Sequence, residues 1–546
     1  MTMTPERTTN FNLLDEPWIT VLYRDGREHD VSLLEAFRQA DDIREITGEI
    51  ATQSFALTRL LLAILYRALD EDLSSASWER MWNEGLPAGV VERYLTPCRE
   101  RFDLLHPTRP FFQVADLHTK KGELKDVTQL IFDLPSNSRL FTNRAGDGID
   151  RLSFAEAARW LVNAQAFDAS GIKSGAVGDE RVKGGKGYPL GIAWSGHLGG
   201  LVLEGASLRE TLLLNLVGAG SYLEPEADRD VAPWERAEAD TSSGRRDALP
   251  HGPVSLYTWQ SRRIRLVSDG DGIVETLLSY GDPLTPQSMQ LKEPMTAWRF
   301  SDPQSKKAGH TVYMPREHQP ARALWRGISA LLPRTTFVTT GKTADRFLPP
   351  TSVQWVSQLV NNERLPRDFG VQIRAIGVIY GSNNSVIDEV IDDRMLVPLA
   401  VLNSEQPQLG QCAERAVSLA DEGVRALKNL AGNLEKAAGG AADAARSSAE
   451  TAAYAGLDVP YRRWLAELST ATDPTHALEE WKSIARGILL ALGGALLANA
   501  KPAAWAGRDV SGLGGHTELI TSSRADNWFQ RDIHAAFDLT TRKETA

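Results

Sequence analysis

Cysteine is nearly absent: Cys98 and Cys412 are the two thiols in 546 residues. That is too few for a disulfide framework or a cysteine-rich zinc site, and it fits a reducing cytoplasm. Long apolar runs are missing as well. The longest, Gly487 to Ala500, covers about 14 residues where a bilayer-spanning helix needs roughly 20, and Gly493, Gly494 and Asn499 interrupt it. It predicts a buried helix and no membrane partner. The opening MTMTPERTTNF lacks the basic-then-apolar pattern of a secretory signal, which predicts a cytoplasmic chain. Positive charge is not in excess, with 60 Lys and Arg against 71 Asp and Glu and a net charge of −11. This balance excludes a chain that coats nucleic acid over its whole surface but leaves a local basic face open. No repeat of fixed period is present, which excludes a solenoid.

Catalytic patterns are missing too. No two histidines have the i, i+4 spacing that places two imidazoles on one helix face for zinc. Gly341-Lys342-Thr343 lacks the earlier glycine of a phosphate loop, Thr336 standing in its place, and reads as a surface turn. Gly184-Gly185-Lys186-Gly187 has no Ser or Thr after the lysine to hold magnesium, and Leu190 occupies a position where a dinucleotide fingerprint needs glycine. Ala193 replaces the first glycine of a nucleophile elbow around Ser195. Asp392-Asp393 reads as a solvated face. These failures predict no catalytic residue, no metal and no cofactor.

What is present is a mixture of helices and strands followed by a change of composition. Trp18–Tyr23 reads as a strand closed by an Asp25-Gly26 turn, and helical spacing runs from Ser32 to Leu69. Ser153 and Glu156 form a capping box for a helix ending at Phe167. Ten glycines fall within residues 171–200, a loop-rich stretch. Residues 219–255, polar and proline-containing, read as a weakly ordered surface loop. Helix follows at Leu208–Val217 and Ala321–Leu332, and strand at Arg263–Val267 and Thr311–Met314. Without a regular βαβ rhythm, residues 1–402 read as a mixed α+β domain. Beyond Leu402 alanine and leucine dominate, with helical periodicity over 411–436, 441–455, 461–468 and 475–498. Turns at Gly439-Gly440, Asp458-Val459-Pro460 and Asp473-Pro474 make residues 405–546 an antiparallel helical bundle.

Two segments carry binding chemistry. Residues 294–346 hold nine Lys or Arg (Arg299, Lys306, Lys307, Arg316, Arg322, Arg326, Arg334, Lys342, Arg346) against three acids, with Trp298 and Trp325 interleaved. Such a block is either a phosphate-neutralising face or a set of cations paired with acids elsewhere. The glycine stretch carries Lys173, Arg181, Lys183 and Lys186, where missing β-carbons let amides approach a phosphate or a base edge.

Five segments in order resemble a known family, the CasA-type large subunit of the type I-E CRISPR Cascade surveillance complex. They are Phe11–Ile19 (FNLLDEPWI), His106–Gln113 (HPTRPFFQ), Leu140–Arg144 (LFTNR), Gly184-Gly185 leading into Leu212–Asn215 (LLLN), and Gly381–Ser385 (GSNNS). The resemblance implies a non-catalytic subunit that recognises the protospacer-adjacent motif in double-stranded DNA. It implies duplex opening and R-loop formation, then recruitment of a helicase-nuclease, with guide RNA and other Cascade subunits as partners. The protospacer itself is left to base pairing. Carried over by position, it assigns motif binding to Gly171, Lys173, Gly175, Lys183, Gly184, Gly185, Lys186 and Lys292. Asn383, Asn384 and Ser385 become a duplex wedge, with Ser385 where some members have Gln. Phe141, Thr142 and Asn143 become a dock for the guide and neighbouring subunits. The cysteine-rich zinc insertion of some relatives is missing. Two other classes stay open beside it, a phosphate-loop enzyme acting on a phosphorylated substrate and a purely structural scaffold.

Overall fold

The computed structural model describes residues 10–69, 73–132, 134, 150–245, 248–341, 344–511 and 517–537. They form two compact units, one of Met1–Arg322, Pro333–Arg364 and Val371–Arg394, the other of Ala323–Leu332, Leu365–Gly370 and Met395–Ala546.

In the first unit Ile19–Tyr23 (β1) and Glu28–Val31 (β2) pair as an antiparallel hairpin, with Gly26 in the turn at φ +88°. Ser32 and Glu35 form a capping box on Leu33–Arg38 (α1), and Ile43–Ile46 (β3) returns to pair with β1. The continuous helical stretch expected over 32–69 is thus two helices around a strand, because α1 ends before the Asp41-Asp42 pair and the backbone after it joins a sheet. Ala51–Leu69 (α2) is buried on all sides from Thr52 to Leu65, including Arg59, so it is a core helix. The Arg59 guanidinium meets the Glu293 carboxylate at 2.8 and 2.7 Å with both side chains out of solvent. Ser75–Glu84 (α3), Ala88–Leu95 (α4) and Lys125–Asp126 (β4) follow. Phe154–Phe167 (α5) begins at the capping box its sequence predicts.

Lys173–Ser174 (β5) and Lys186–Gly187 (β6) pair antiparallel and turn the glycine stretch into a hairpin. After Gly200–Glu204 (β7) and Leu208–Asn215 (α6) comes the stretch expected to be weakly ordered. It is packed instead: the Trp234 ring lies 5.1 Å from Phe102 and 6.4 Å from Phe111. The buried Asp230 carboxylate accepts from the N–H groups of Val254 and Ser255 in Pro253–Tyr257 (α7). One aromatic anchor and one buried cap outweigh a polar composition.

Arg262–Ser268 (β8) and Ile273–Tyr280 (β9) pair, with β4 on the other edge of β9. Trp298–Phe300 (β10) is central in a sheet with Tyr313–Pro315 (β11) and Phe347–Leu348 (β12), and Asp302–Ala308 (α8) follows it directly. Thr351–Asn361 (α9) precedes a long hairpin of Gly370–Tyr380 (β13) and Ile387–Pro398 (β14), and β13 also pairs antiparallel with β7.

The second unit is mainly helical: Gln408–Ala437 (α10), Ala442–Ala466 (α11), Pro474–Ala498 (α12), Pro502–Ala506 (α13) and Ser522–Phe537 (α14). Arg508–Ser511 (β15) and Thr517–Ile520 (β16) form a small antiparallel pair. The break expected at Asp458-Val459-Pro460 does not occur, and α11 runs through Pro460. Tertiary packing overrides the proline: Leu457, Tyr461 and Trp464 are buried, and Asp458 accepts from Trp325 Nε1 at 2.9 Å. Trp325 belongs to a single 3-10 segment, Leu324–Ala330, where a helix over 321–332 was expected. Its ring stacks 4.6 Å from Tyr461, which lies 5.2 Å from Trp481. The buried helix expected over Gly487 to Ala500 is instead mostly uncovered in this unit: within the run only Leu489 and Gly493 are buried, and Gly487, Ala491 and Gly494 are exposed.

Candidate nucleic-acid interface

The tip of the glycine hairpin is Lys183-Gly184-Gly185-Lys186. The Lys183 and Lys186 backbones exchange two hydrogen bonds of 3.1 Å across it. Gly184 and Gly185 sit at φ +58° and +74°, the paired left-handed conformation of a type I′ turn, which side chains other than Gly, Asn and Asp resist. All four residues are exposed, and the two lysines have no ion-pair partner among the described residues. Lower in the hairpin, a β-carbon on Gly175 would fall 2.5 Å from the Gly185 carbonyl. Glycine there is a condition of the fold: it lets the two arms close.

The root of the hairpin is held by charge and by hydroxyl groups. Asp168 forms ion pairs with Lys173 (2.7 Å) and with Arg262. Burial alone would raise the Asp168 pKa, but the two cations hold its carboxyl below the usual range. Arg262 also donates to the carbonyls of Ala169 and Gly191, both at 3.1 Å, so one guanidinium staples the two ends of the segment together. Tyr280 Oη donates to the Gly171 carbonyl at 2.6 Å. Arg181 pairs with buried Asp179 and reaches the Tyr280 and Gly281 carbonyls at 3.0 and 2.9 Å, fixing the outer arm to the end of β9.

The turn between β13 and β14 stands beside this root. Asn383 and Asn384 both have positive φ, 54° and 56°, conformations that Asn adopts most readily after Gly. Ser382, Asn383 and Asn384 are exposed. The Ser170 N–H donates to the Asn384 carbonyl at 2.8 Å, and a β-carbon on Gly171 would lie 3.8 Å from the Ser385 Cβ. Two segments more than 200 residues apart in sequence are thereby brought together.

Other expected site residues are placed differently. Lys173 is not an outward phosphate ligand: it is largely covered and paired with Asp168, and its removal from solvent lowers its pKa against the opposing pull of that carboxylate. Lys292 donates to the Pro250 carbonyl at 2.8 Å and to Glu226 at 3.2 Å, partners outside both turns. Phe141, Thr142 and Asn143 lie outside the described residues. The basic block does not form one face. Trp298 and Trp325 are core residues, Arg334 pairs with Asp345 and Arg346 with Asp302, each at 3.0 Å. Arg326 covers the Tyr454 ring at 3.3 Å within the second unit. Arg299, Lys306 and Lys307 remain exposed on β10 and α8. Asp168, Ser170, Arg262, Tyr280 and Tyr380 carry no local signal in the sequence, since their role rests on partners distant in the chain, such as Asp168 and Arg262 at 94 residues and Phe167 and Tyr380 at 213. Among the described residues no three His, Cys, Asp or Glu side chains converge as metal ligands.

Comparison with known proteins gives the chain a family. The sequence profile of CRISPR-associated protein Cse1 matches residues 12–492. A CRISPR-associated protein CasA/Cse1 of Thermus thermophilus is 30% identical over 443 residues, which cover 79% of each chain. The crystal structure of Thermobifida fusca Cse1 superposes with a TM-score of 0.88 at 44% identity, covering 97% of this chain and 99% of that one. A chain of a CRISPR RNA-guided surveillance complex shares the fold at a TM-score of 0.66 and 18% identity, over 97% and 100% of the two chains. Profile, sequence and fold agree over most of the length, and the chain belongs to the Cse1 family of CRISPR-associated proteins.

Proposed function

We propose that the chain is the non-catalytic large subunit of a cytoplasmic type I-E RNA-guided surveillance complex. In it the chain recognises the protospacer-adjacent motif in double-stranded DNA, starts duplex opening and presents the target to a helicase-nuclease. The observation that carries the proposal is the pairing of two exposed turns at one root: a Lys-Gly-Gly-Lys tip with no β-carbon at its two central positions, and an Asn-Asn turn bonded to Ser170. Family membership supports it, as does the occurrence of the same fold within a surveillance complex.

In this reading Lys183 and Lys186 neutralise phosphates while the backbone of Gly184 and Gly185 approaches the minor groove, whose degenerate pattern of donors and acceptors suits tolerant reading. Asn383, Asn384 and Ser385 enter between the first base pairs, at an unstacking cost of a few kcal/mol per step. Lys173 holds the hairpin root. Lys292 reaches the groove only by leaving Glu226 and Pro250, so it is the ligand that must move.

The test is duplex binding by the assembled complex across a salt series. Replacing Lys183 and Lys186 by Ala should weaken binding to matched and mismatched motifs alike and reduce the log–log salt slope by about 2, roughly 0.9 per lost phosphate contact. An unchanged slope would remove the two lysines from the interface. Turnover of a substrate by the purified chain, abolished by a point substitution within it, would refute the non-catalytic assignment.

A further inference from the structure

Residues 167 to 171 are short, yet each is bonded to a neighbouring element. The Phe167 carbonyl accepts from Tyr380 Oη, at the end of β13, at 2.5 Å. The Asp168 and Ala169 carbonyls accept from Arg262 Nη2 at 2.9 and 3.1 Å. The Ser170 N–H donates to Asn384 at 2.8 Å, and the Gly171 carbonyl accepts from Tyr280 Oη at 2.6 Å. The segment leaves α5 at one end and enters the glycine hairpin at the other. Ser170 and Arg262 are buried, so these bonds cannot be exchanged for water without the full cost of an unpaired polar group.

We infer that residues 167–171 are a mechanical coupler, which makes the glycine hairpin and the 381–386 turn respond as one body. A displacement at the hairpin root is passed to the turn through the Ser170 N–H and the Asn384 carbonyl. Tyr380 and Tyr280 hold the two ends of the coupler against β13 and β9, so that the segment transmits a shift without absorbing it. Ser170, Tyr280 and Tyr380 are therefore positioning residues that need not touch DNA. The functional consequence rests on the reading above of the hairpin as motif reader and the turn as wedge: seating on a motif and opening of the duplex become one event.

Spatial proximity alone does not demonstrate coupling; a double-mutant cycle does. The assembled complex would be made with Lys183 and Lys186 replaced by Ala, with Asn384 and Ser385 replaced by Gly, and with both sets. Each would be tested in the native background, in Tyr380→Phe, which deletes one hydroxyl, and in Ser170→Pro, which deletes the N–H. The rate of opening a fully paired target should show non-additive effects in the native background and additive ones in the coupler backgrounds. Each coupler variant alone should open the target about fivefold more slowly, the weight of one ordinary hydrogen bond. Additivity in the native background, or non-additivity that survives both coupler substitutions, overturns the inference.

Hydrogen exchange without DNA gives an independent reading. Tyr380→Phe should speed exchange about fivefold at the Ser385 amide of the turn and at the Lys183 and Lys186 amides together. A change confined to one of the two elements overturns the coupling. If exchange changes in both while hairpin and turn variants leave DNA binding and opening untouched, the coupling stands and the DNA-binding reading fails.

Discussion

Arg59 and Glu293 sit 234 residues apart in sequence and face each other in the core of the first unit, where Trp194 Nε1 also donates to the carboxylate at 3.3 Å. A buried pair of this kind contributes little net stability against an apolar replacement but costs heavily when halved. Glu293→Ala should lower unfolding stability by about 3–5 kcal/mol in urea titration, and Arg59→Met with Glu293→Leu should recover most of it. Equal losses for the single and double variants would show that the pair is not an isolated charge unit. His197 gives a pH dependence with a definite sign. Burial first, and Arg262 second, lower its pKa from 6.5 to about 4. The folded ring stays neutral where the unfolded ring takes up a proton. Its contribution is therefore complete above pH 6.5, falls as pH drops towards 4, and is lost below that. Between pH 7 and pH 4 the stability of the native chain should fall relative to His197→Gln by up to about 3 kcal/mol. A constant difference between the two proteins across that range would show that the ring is solvated.

Gly184 and Gly185 define the hairpin tip, and both need positive φ. Replacing both by Ala should open the tip at a cost of about 2 kcal/mol, seen as faster exchange of the Lys183 and Lys186 amides with little change in overall melting. Asn-Gly in the same places should restore protection, because that pair favours the same turn. If Ala-Ala exchanges as slowly as the native tip, the turn does not depend on left-handed backbone. Elements governed by near neighbours were legible in the sequence: the Ser153–Glu156 box that starts α5, the Asp25-Gly26 turn and the dense glycines. Elements that depend on distant partners were not. The pairing of β5 with β6 spans only two residues on each arm, too short for any periodicity. The root of the hairpin depends on Arg262, Tyr280 and Tyr380, none of which has a local signal. Pro460 read as a break because its local preference is clear, whereas Trp325 docking against Asp458 and Tyr461 lies outside any local window. Lys173 read as a ligand because its charge is visible in the sequence and the carboxylate that neutralises it is not assigned until the chain folds.

At the scale of the whole molecule the second unit is discontinuous, built from residues 323–332, 365–370 and 395 onward. A fragment of residues 405–546 would lack Trp325, whose side chain is fully buried against Tyr461 in the intact unit. Such a fragment should be less stable than the same fragment supplemented with a peptide spanning residues 321–333, by about 2.7 kcal/mol when the peptide is at 100 times its Kd. Thermal melting with and without the peptide measures this, and a fragment indifferent to the peptide would make the Trp325 contact dispensable. The same discontinuity sets a timetable for synthesis. Trp325 and its acceptor Asp458 are 133 residues apart, and a ribosome adding 5–20 residues per second takes roughly 7–27 s to cover that gap. During that interval a large indole has left the tunnel while its binding partners have not yet emerged. Each nascent chain therefore passes through a window in which it offers an apolar side chain to chaperones and to neighbouring chains, and the window closes only when α11 emerges.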